Sequence, residues 1–245
     1  MNGRSFLMMP MVLMAAVPAA AAGAFETDTL PTAAGDLKIT FIGHASLMFE
    51  FGGKVIHIDP VDQFGDYSKL PMADLILTTH DHFDHTDPKT IERLGSAKTK
   101  LVLTPLAAAK IGRGIVLKNG GETSVDGIRI EAVPAYNIVH MRSPGMPYHP
   151  KGDGNGYILT LGSKRIYIAG DTENIPEMKG LGAIDVAFLP MNLPYTMTPA
   201  MVADSARMIR PAILYPYHTT DTDTSALQPL LKDEKGIEVR IRRMP

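Results

Sequence analysis

Short apolar runs separated by Gly, Pro and Asp recur along residues 37–241 and predict a succession of short β-strands. The pair Gly52-Gly53 is typical of a tight hairpin turn. Residues 75–79 form a largely apolar run that predicts a strand buried on both faces. The predicted strands are residues 37–42, 46–51, 55–58, 75–79, 101–103, 115–117, 122–125, 128–133, 157–161, 165–169, 186–189, 212–215 and 237–241.

Helical segments are interleaved with these strands in both halves of the chain. Asp87 before Pro88 is typical of a helix N-terminus, and apolar residues at helical spacing indicate further helices. Hairpins early in the chain, with helices between later strands, favour two mixed sheets packed together with helices outside. No linker or short repeat interrupts the pattern, so we predict one α+β domain over residues 25–245. The predicted helices are residues 88–94, 105–111, 199–210 and 225–231.

Residues 1–24 differ from the rest of the chain. Arg4 is their only charge, an apolar stretch follows it, and an alanine-rich tract ends the segment. This order predicts a secretory signal peptide, cleaved after Ala22 or Ala24. The apolar stretch is short for a membrane span and carries two prolines, which disfavours an uncleaved anchor. We therefore expect export, to a bacterial periplasm, of a protein without a stable membrane anchor once the leader is removed.

The amino-acid composition limits which ligands and which metal-binding residues a functional site could use. The 245 residues are 45% hydrophobic and 20% charged, with a formal net charge of -2, as in an ordinary globular protein. Near-neutral charge without a long run of one sign does not favour nucleic-acid binding, so we expect a small-molecule substrate. Because the chain has no cysteine, a metal site must be built from His, Asp and Glu.

The segment His80-Asp81-His82-Phe83-Asp84-His85 directly follows the predicted strand 75–79 and carries the candidate chemistry. His80 and His82 are two residues apart on an extended stretch, so both imidazoles can point to one side. Asp84 and His85 follow where the chain turns and can reach a second point nearby. Two metal ions about 3.5–4 Å apart need a ligand set divided in this way. A solvated polar loop is the weaker interpretation, because sites are commonly built at strand ends.

This motif resembles the signature of the metallo-β-lactamase superfamily, and specifically of its UlaG-like and related metal-dependent hydrolases. The resemblance implies a four-layer αβ/βα sandwich of two mixed β-sheets flanked by helices. It also implies two divalent metal ions, zinc first, with manganese or iron as alternatives. Further segments that resemble the superfamily, in matching order, are Ile42-Gly43-His44, Ile58-Asp59-Pro60, Ala169-Gly170-Asp171-Thr172 and Tyr217-His218.

The resemblance implies a ligand set shared between two ions. His80, His82 and a third histidine would hold one ion, and Asp171 would bridge the pair. The other ion would be held by Asp84, His85 and His218.

The third histidine of the first ion is the open position. The family pattern places a histidine after the strand 128–133, where this chain has Asn137. His149 and His140 are the alternatives, and we favour His149 because a loop rich in Gly and Pro can fold it back into the site. Three residues are expected to support the ligands from behind rather than to bind metal: His44, Asp59 and Asn137.

The resemblance implies hydrolysis by a metal-bridged hydroxide that attacks a carbonyl or phosphoryl centre, with Asp84 as a catalytic proton carrier. Related di-iron oxygen reductases place a carboxylate at the second ligand position, so His82 favours hydrolysis. We expect an ester, lactone or phosphodiester substrate. The alternative is a non-catalytic periplasmic binding module with partial metal occupancy, because Asn137 stands in a ligand position. Oligomeric state stays open.

Overall fold

The computed structural model describes residues 25–244, and the predicted signal peptide, residues 1–24, lies outside them. Its first seven-stranded sheet follows the order of the chain. The first four strands pair antiparallel, and the fourth to the seventh pair parallel. The strands are β1 (Glu26–Thr32), β2 (Gly35–Gly43), β3 (Ser46–Phe51), β4 (Lys54–Ile58), β5 (Leu75–Leu77), β6 (Lys100–Leu103) and β7 (Ile115–Val116).

The second half of the chain repeats this plan. Its strands are β8 (Glu122–Val125), β9 (Ile128–Ala135), β10 (Met141–Ser143), β11 (Met146–Pro147), β12 (Gly154–Leu161), β13 (Lys164–Ile168), β14 (Val186–Pro190), β15 (Ile213–Tyr217) and β16 (Glu238–Val239). The second seven-stranded sheet has the order β16-β15-β14-β13-β12-β9-β8. Strands β8, β9, β12 and β13 pair antiparallel, and β13 to β16 pair parallel. The short hairpin β10–β11 belongs to neither sheet.

Three of the four helices begin where the sequence predicts, and the fourth begins two residues later, at Leu227, after a 3-10 turn. Asp87, Thr104 and Thr198 each accept a first-turn backbone N–H with their side chains, and a proline follows each of them. The α-helices are α1 (Pro88–Leu94), α2 (Pro105–Ile111), α3 (Pro199–Ile209) and α4 (Leu227–Leu231). Short 3-10 helices span Asp62–Phe64, Tyr67–Lys69, Pro176–Gly180 and Thr224–Ala226. Among residues 25–244, no helix is long and apolar enough to cross a membrane.

Three apolar clusters define four layers. The central cluster lies between the two sheets, where Phe41 and Phe49 of the first sheet contact Phe188 of the second. A second cluster packs α1 and α2 on the outer face of the first sheet. A third packs α3 and α4 on the outer face of the second. The predicted four-layer sandwich of two mixed sheets flanked by helices is therefore confirmed.

The predicted and observed strands differ where the pattern of apolar residues along the chain is weak. Strand β1 is absent from the predictions because Leu30 is its only fully buried residue, and the rest of it carries polar residues and Pro31. The predicted strand 75–79 is shorter, because β5 ends at Leu77. The predicted strand 237–241 contains only the two residues of β16.

Strand β1 is joined to the opposite sheet by a buried ionic contact. Asp28 accepts hydrogen bonds from the Arg242 guanidinium at 2.8–3.0 Å and from the Tyr215 hydroxyl. The Asp28 side chain is only 13% exposed. Its removal therefore leaves the partly buried Arg242, whose side chain is 26% exposed, without its carboxylate partner.

We expect Asp28→Asn to lower the free energy of unfolding by about 1–3 kcal/mol, because charge-assisted hydrogen bonds are lost across the two sheets. Urea denaturation followed by circular dichroism measures this change. Asp36→Asn, at an exposed position beside the β1–β2 turn, is the matched control and should leave stability unchanged. Equal stabilities for the two variants would contradict the role of Asp28.

Candidate metal centre

The predicted motif lies in the turn that follows β5. Thr86 fixes this turn, because its hydroxyl donates to the His80 carbonyl at 2.6 Å and its backbone N–H donates to the His82 carbonyl at 2.8 Å. The strand ends at Leu77, and the chain bends at Thr79, Asp81 and His82 before the turn of residues 83–85, so His80 and His82 do not lie on the single extended stretch that the spacing predicts. The other candidate residues come from further strand ends: His44 after β2, Asp59 after β4, Asp171 after β13 and His218 after β15.

Three of these residues adopt a backbone conformation that non-glycine residues rarely take. His44, Asp59 and His218 have φ angles of 52°, 45° and 49°. Such left-handed residues cost about 1–3 kcal/mol each and cluster at functional sites. They are held by backbone hydrogen bonds, from His218 to the His44 carbonyl and from Asp59 to the Leu77 carbonyl, both at 2.9 Å. Surrounding structure therefore fixes where these side chains point.

The side chains form two groups of potential ligand atoms around one carboxylate. His80, His82 and His149 make up the first group, with their ring nitrogens within 4.8 Å of one another. The second group, within the same limit, consists of His44, Asp84, His85 and His218.

Asp171 lies between the two groups. Its Oδ2 atom is 3.2 Å from His149 Nε2 and 3.5 Å from His218 Nε2, and its Oδ1 atom is 3.4 Å from His85 Nε2. Two ligands of one zinc ion, each bound at about 2.1 Å, can be at most about 4.2 Å apart. The separations around Asp171 satisfy this limit.

Several of these buried atoms have no hydrogen-bond partner within residues 25–244. They are His80 Nε2, His85 Nε2, His218 Nε2 and Asp171 Oδ1. A buried polar atom without a partner costs about 1–3 kcal/mol, so native proteins rarely leave several together. Metal coordination would satisfy all four atoms. The residues present therefore fit a metal centre.

The opposite ring nitrogens are held by outer hydrogen bonds. His85 Nδ1 donates to Asp59 at 2.8 Å, and Asp59 itself accepts from the Thr79 backbone and hydroxyl at 2.7 Å each. His149 Nδ1 donates to Asn137 Oδ1 at 2.6 Å. Such bonds orient a ligand imidazole and leave Nε2 free for the metal. Asp59 and Asn137 thus each hydrogen-bond to the Nδ1 atom of an imidazole in one of the two groups.

His44 contacts the second group through Asp84. Its Nε2 atom lies 3.1 Å from Asp84 Oδ2, and its ring stacks on Phe64 with a centroid separation of 4.3 Å. The His44 ring is also 3.7 Å from that of His218. His44 is therefore placed to orient the Asp84 carboxylate, although its ring also belongs to the second group of potential ligands.

The chain matches the family model of the beta-lactamase superfamily domain over residues 38–218, most of its length. It belongs to that superfamily. A UPF0173 metal-dependent hydrolase of Pyrococcus furiosus is 35% identical over 195 residues, 74% of this chain and 84% of that protein. The predicted membership of the metallo-β-lactamase superfamily and of its metal-dependent hydrolases is confirmed, and the chain is an enzyme.

Two solved structures resemble the hydrolase over most of its length. A protein of Parabacteroides distasonis, described as a metal-dependent hydrolase, is 49% identical with a TM-score of 0.86, covering 90% of this chain and 100% of that one. Igni18, a metallo hydrolase of Ignicoccus hospitalis, is 26% identical with a TM-score of 0.71, covering 85% and 95%.

Burial keeps three histidines of the site neutral, namely His80, His82 and His218. Burial lowers the pKa of His218 to about 4. Burial also lowers the pKa of His80, and the neighbouring charge of His85 lowers it further. The pKa of His82 is lowered by burial and by the proximity of His149. Neutral imidazoles are the form that binds metal, so these three are ready for coordination near neutral pH.

The carboxylates of Asp84 and Asp171, together with His85, are charged instead. Burial opposes the charge on His85, but Asp171 and Asp59 outweigh it and raise the pKa of His85 well above its ordinary value. Burial would raise the pKa of Asp84, yet the hydrogen bond with His44 and the proximity of His85 hold it at about 2. Burial is likewise outweighed at Asp171, whose pKa the nearby histidines His218, His85 and His149 lower well below its usual range.

His140, the alternative third ligand, lies outside both groups. Its Nδ1 atom is 2.6 Å from Glu173 Oε1. The buried Glu173 carboxylate also accepts the backbone N–H groups of residues 138–140 at 2.7 Å each and the Asn137 amide at 3.1 Å. Glu173 therefore fixes the loop from which Asn137 holds His149. Sequence reasoning missed Glu173, whose only signal is its position two residues after Asp171.

The centre opens into a cleft of about 640 Å³. Asn192 lines it and pairs through its amide with His218 Nδ1 at 3.2 Å, a support that the sequence did not reveal. Two charged residues near the candidate ligands form ion pairs of their own: Asp81 of the motif pairs with Lys110 at 3.0 Å, and Lys151, two residues after His149, pairs with Glu177 at 2.6 Å.

We expect His149→Ala to lower the bound metal from about two ions per chain to about one, because the first group keeps only two imidazoles. Elemental analysis of the purified protein measures the stoichiometry. His140→Ala is the matched control, since His140 lies outside both groups, and should retain the full metal content. Loss of metal in His140→Ala alone would show that the third ligand is His140.

Metal loading should release a proton from His85 at pH 7, because its raised pKa keeps both ring nitrogens protonated and Nε2 must lose its proton to bind metal. Metal affinity should therefore rise with pH. Calorimetric titration with zinc in buffers of different ionisation enthalpy counts the protons released. Asp59→Asn removes one carboxylate that raises this pKa and should reduce the count. A count unchanged by Asp59→Asn would contradict the assignment.

Proposed function

We propose that the protein uses two divalent metal ions to hydrolyse an ester, lactone or phosphodiester bond in a small molecule. The observation that supports this most directly is that three buried imidazole nitrogens around Asp171, and the Oδ1 atom of Asp171 itself, lack a hydrogen-bond partner. His80, His82 and His149 would hold one ion. Asp84, His85 and His218 would hold the other, and the two oxygens of Asp171 would be shared between them.

The donor set consists of imidazoles and carboxylates without any thiolate. Such a set suits zinc first, with manganese or iron as alternatives. Bound divalent ions lower the pKa of a water molecule towards about 7 and polarise the carbonyl or phosphoryl group under attack.

Asp84 is the carboxylate placed to move protons. Its side chain is 21% exposed and lines the cleft, whereas that of Asp171 is 4% exposed. With a pKa of about 2 it is ionised at neutral pH, so it can accept a proton from the attacking water and return it to the leaving group. His44 keeps the carboxylate oriented towards the cleft during this transfer.

The binding-module alternative depended on Asn137 in a ligand position. His149 lies with His80 and His82, and Asn137 is its hydrogen-bond partner, so the chain offers three imidazoles for the first ion. This arrangement supports the hydrolase over a binding module with partial metal occupancy.

Export to a bacterial periplasm stays part of the proposal. It is supported by the signal-peptide pattern of residues 1–24 alone. The near-neutral net charge supports a small-molecule substrate rather than nucleic acid.

We expect the protein without residues 1–24 to contain about two metal ions per chain and to hydrolyse at least one member of an ester, lactone and phosphodiester panel. Chelation should abolish this activity, and zinc or manganese should restore it. Asp84→Asn should lower kcat by about 10²-fold or more, because proton transfer is lost. Asp81→Asn, whose carboxylate pairs with Lys110, is the matched control and should retain activity. Activity that survives complete metal removal would contradict the proposal.

A further inference from the structure

The hairpin β10–β11 adds nothing to either sheet, yet it borders the catalytic cleft. It is inserted between β9 and β12, whose strands pair directly with each other. Arg142, in β10, and Tyr148, immediately after β11, both line the cleft together with Asp84 and His149. The hairpin therefore places one cation and one aromatic ring beside the metal centre without serving the core.

Arg142 has no carboxylate partner within residues 25–244. Its guanidinium lies 6.0 Å from the centre of the Tyr148 ring, a cation–π contact that leaves the N–H donors free. It is the only Lys or Arg among the cleft-lining residues. Elsewhere, the described arginines that pair with a carboxylate include Arg93, Arg129, Arg165, Arg207, Arg240 and Arg242.

The same cleft exposes large apolar side chains. Phe83 is 76% exposed, and Leu193 and Tyr195 are 45% exposed each. The Tyr195 ring meets that of Tyr148 edge to face at 5.0 Å. Exposed apolar residues are normally scattered, so a group of them beside a polar centre indicates contact with an apolar part of a ligand.

The charge of the cleft depends on the metal. Its acidic residues are Asp84, Asp171 and Asp221. Two divalent ions together with Arg142 outweigh these three negative charges, so the loaded cleft is net positive. A positive, partly apolar cleft concentrates anionic ligands.

We propose that the substrate is an anionic amphiphile. Its carboxylate or phosphate binds the Arg142 guanidinium, its aryl or alkyl portion lies against Phe83, Tyr148, Leu193 and Tyr195, and its scissile bond reaches the metal centre. The cleavage step rests on the proposed function. Recognition of the anion and of the apolar portion does not, because it needs no bond to be broken.

Binding of a non-hydrolysable probe tests this recognition in the metal-loaded protein. Naphthalene-2-sulfonate carries an anion and an aromatic ring, and 2-naphthylmethanol is its neutral counterpart. We expect the wild type to bind the sulfonate about tenfold or more tightly than the alcohol, since a charge-assisted contact with a guanidinium is added. Calorimetry or the fluorescence of the naphthalene ring measures both affinities.

Arg142→Gln should remove this preference and leave the affinity for the alcohol unchanged. Phe83→Ala should weaken both probes alike. Arg113→Gln, an exposed arginine outside the cleft, is the matched control and should keep the wild-type preference. A preference that persists in Arg142→Gln would place the anion elsewhere, such as on the metal ions, and would overturn the proposal.

Hydrolysis then distinguishes the type of anion. Aryl esters with a distal carboxylate, a distal phosphate or a neutral hydroxyl are compared by kcat/KM in the wild type and in Arg142→Gln. The preferred anion should lose about tenfold in the variant, and the neutral ester should lose nothing. An equal loss for all three esters would overturn the role of Arg142. If the wild type cleaves none of them while the sulfonate preference holds, the proposed function fails and the recognition stands.

Discussion

The structure depends on the ionised Asp171 carboxylate, buried among imidazoles that converge from both sheets. Burial of a charge is costly unless cations and hydrogen bonds compensate it. The protonated His85 compensates part of it in the protein alone, while other buried ring nitrogens remain without partners. The outer hydrogen bonds to Asp59 and Asn137 each hold an imidazole whose Nε2 atom faces this carboxylate.

The fold places imidazoles around this carboxylate by bringing the ends of several strands together. In each sheet, antiparallel strands precede parallel ones, so several strands end at one edge and deliver polar side chains there. Sites in sheets with parallel strands commonly lie outside the carboxyl ends of those strands. Here the two edges meet, and left-handed residues at His44, Asp59 and His218 turn the chain at that meeting point. The apolar cluster between the sheets keeps the edges in register with each other.

The features of the fold and of the site that arise from local sequence patterns could be predicted, whereas those that depend on contacts between distant residues could not. The spacing His80-x-His82-x-Asp84-His85 and the helix starts at Pro88 and Pro105 are local patterns, and the structure places the motif residues in two ligand groups and begins both helices at these prolines. The central sandwich follows from apolar periodicity. Glu173 and Asn192 act through hydrogen bonds to residues 26–36 positions away, which leave no local pattern. Strand β1 and the hairpin β10–β11 bury little apolar surface, so their sequences resemble loops.

Each of the two ligand groups combines residues from both halves of the chain. His80 and His82 of the first half share a group with His149 of the second, and His85 of the first shares one with His218 of the second. Each ion would thus cross-link both halves, and unfolding of either half would release both ions. Free metal at 100 times its dissociation constant adds about 2.7 kcal/mol to the native state for each independent site. The metal supply of the compartment would then set the lifetime of the folded enzyme as well as its turnover.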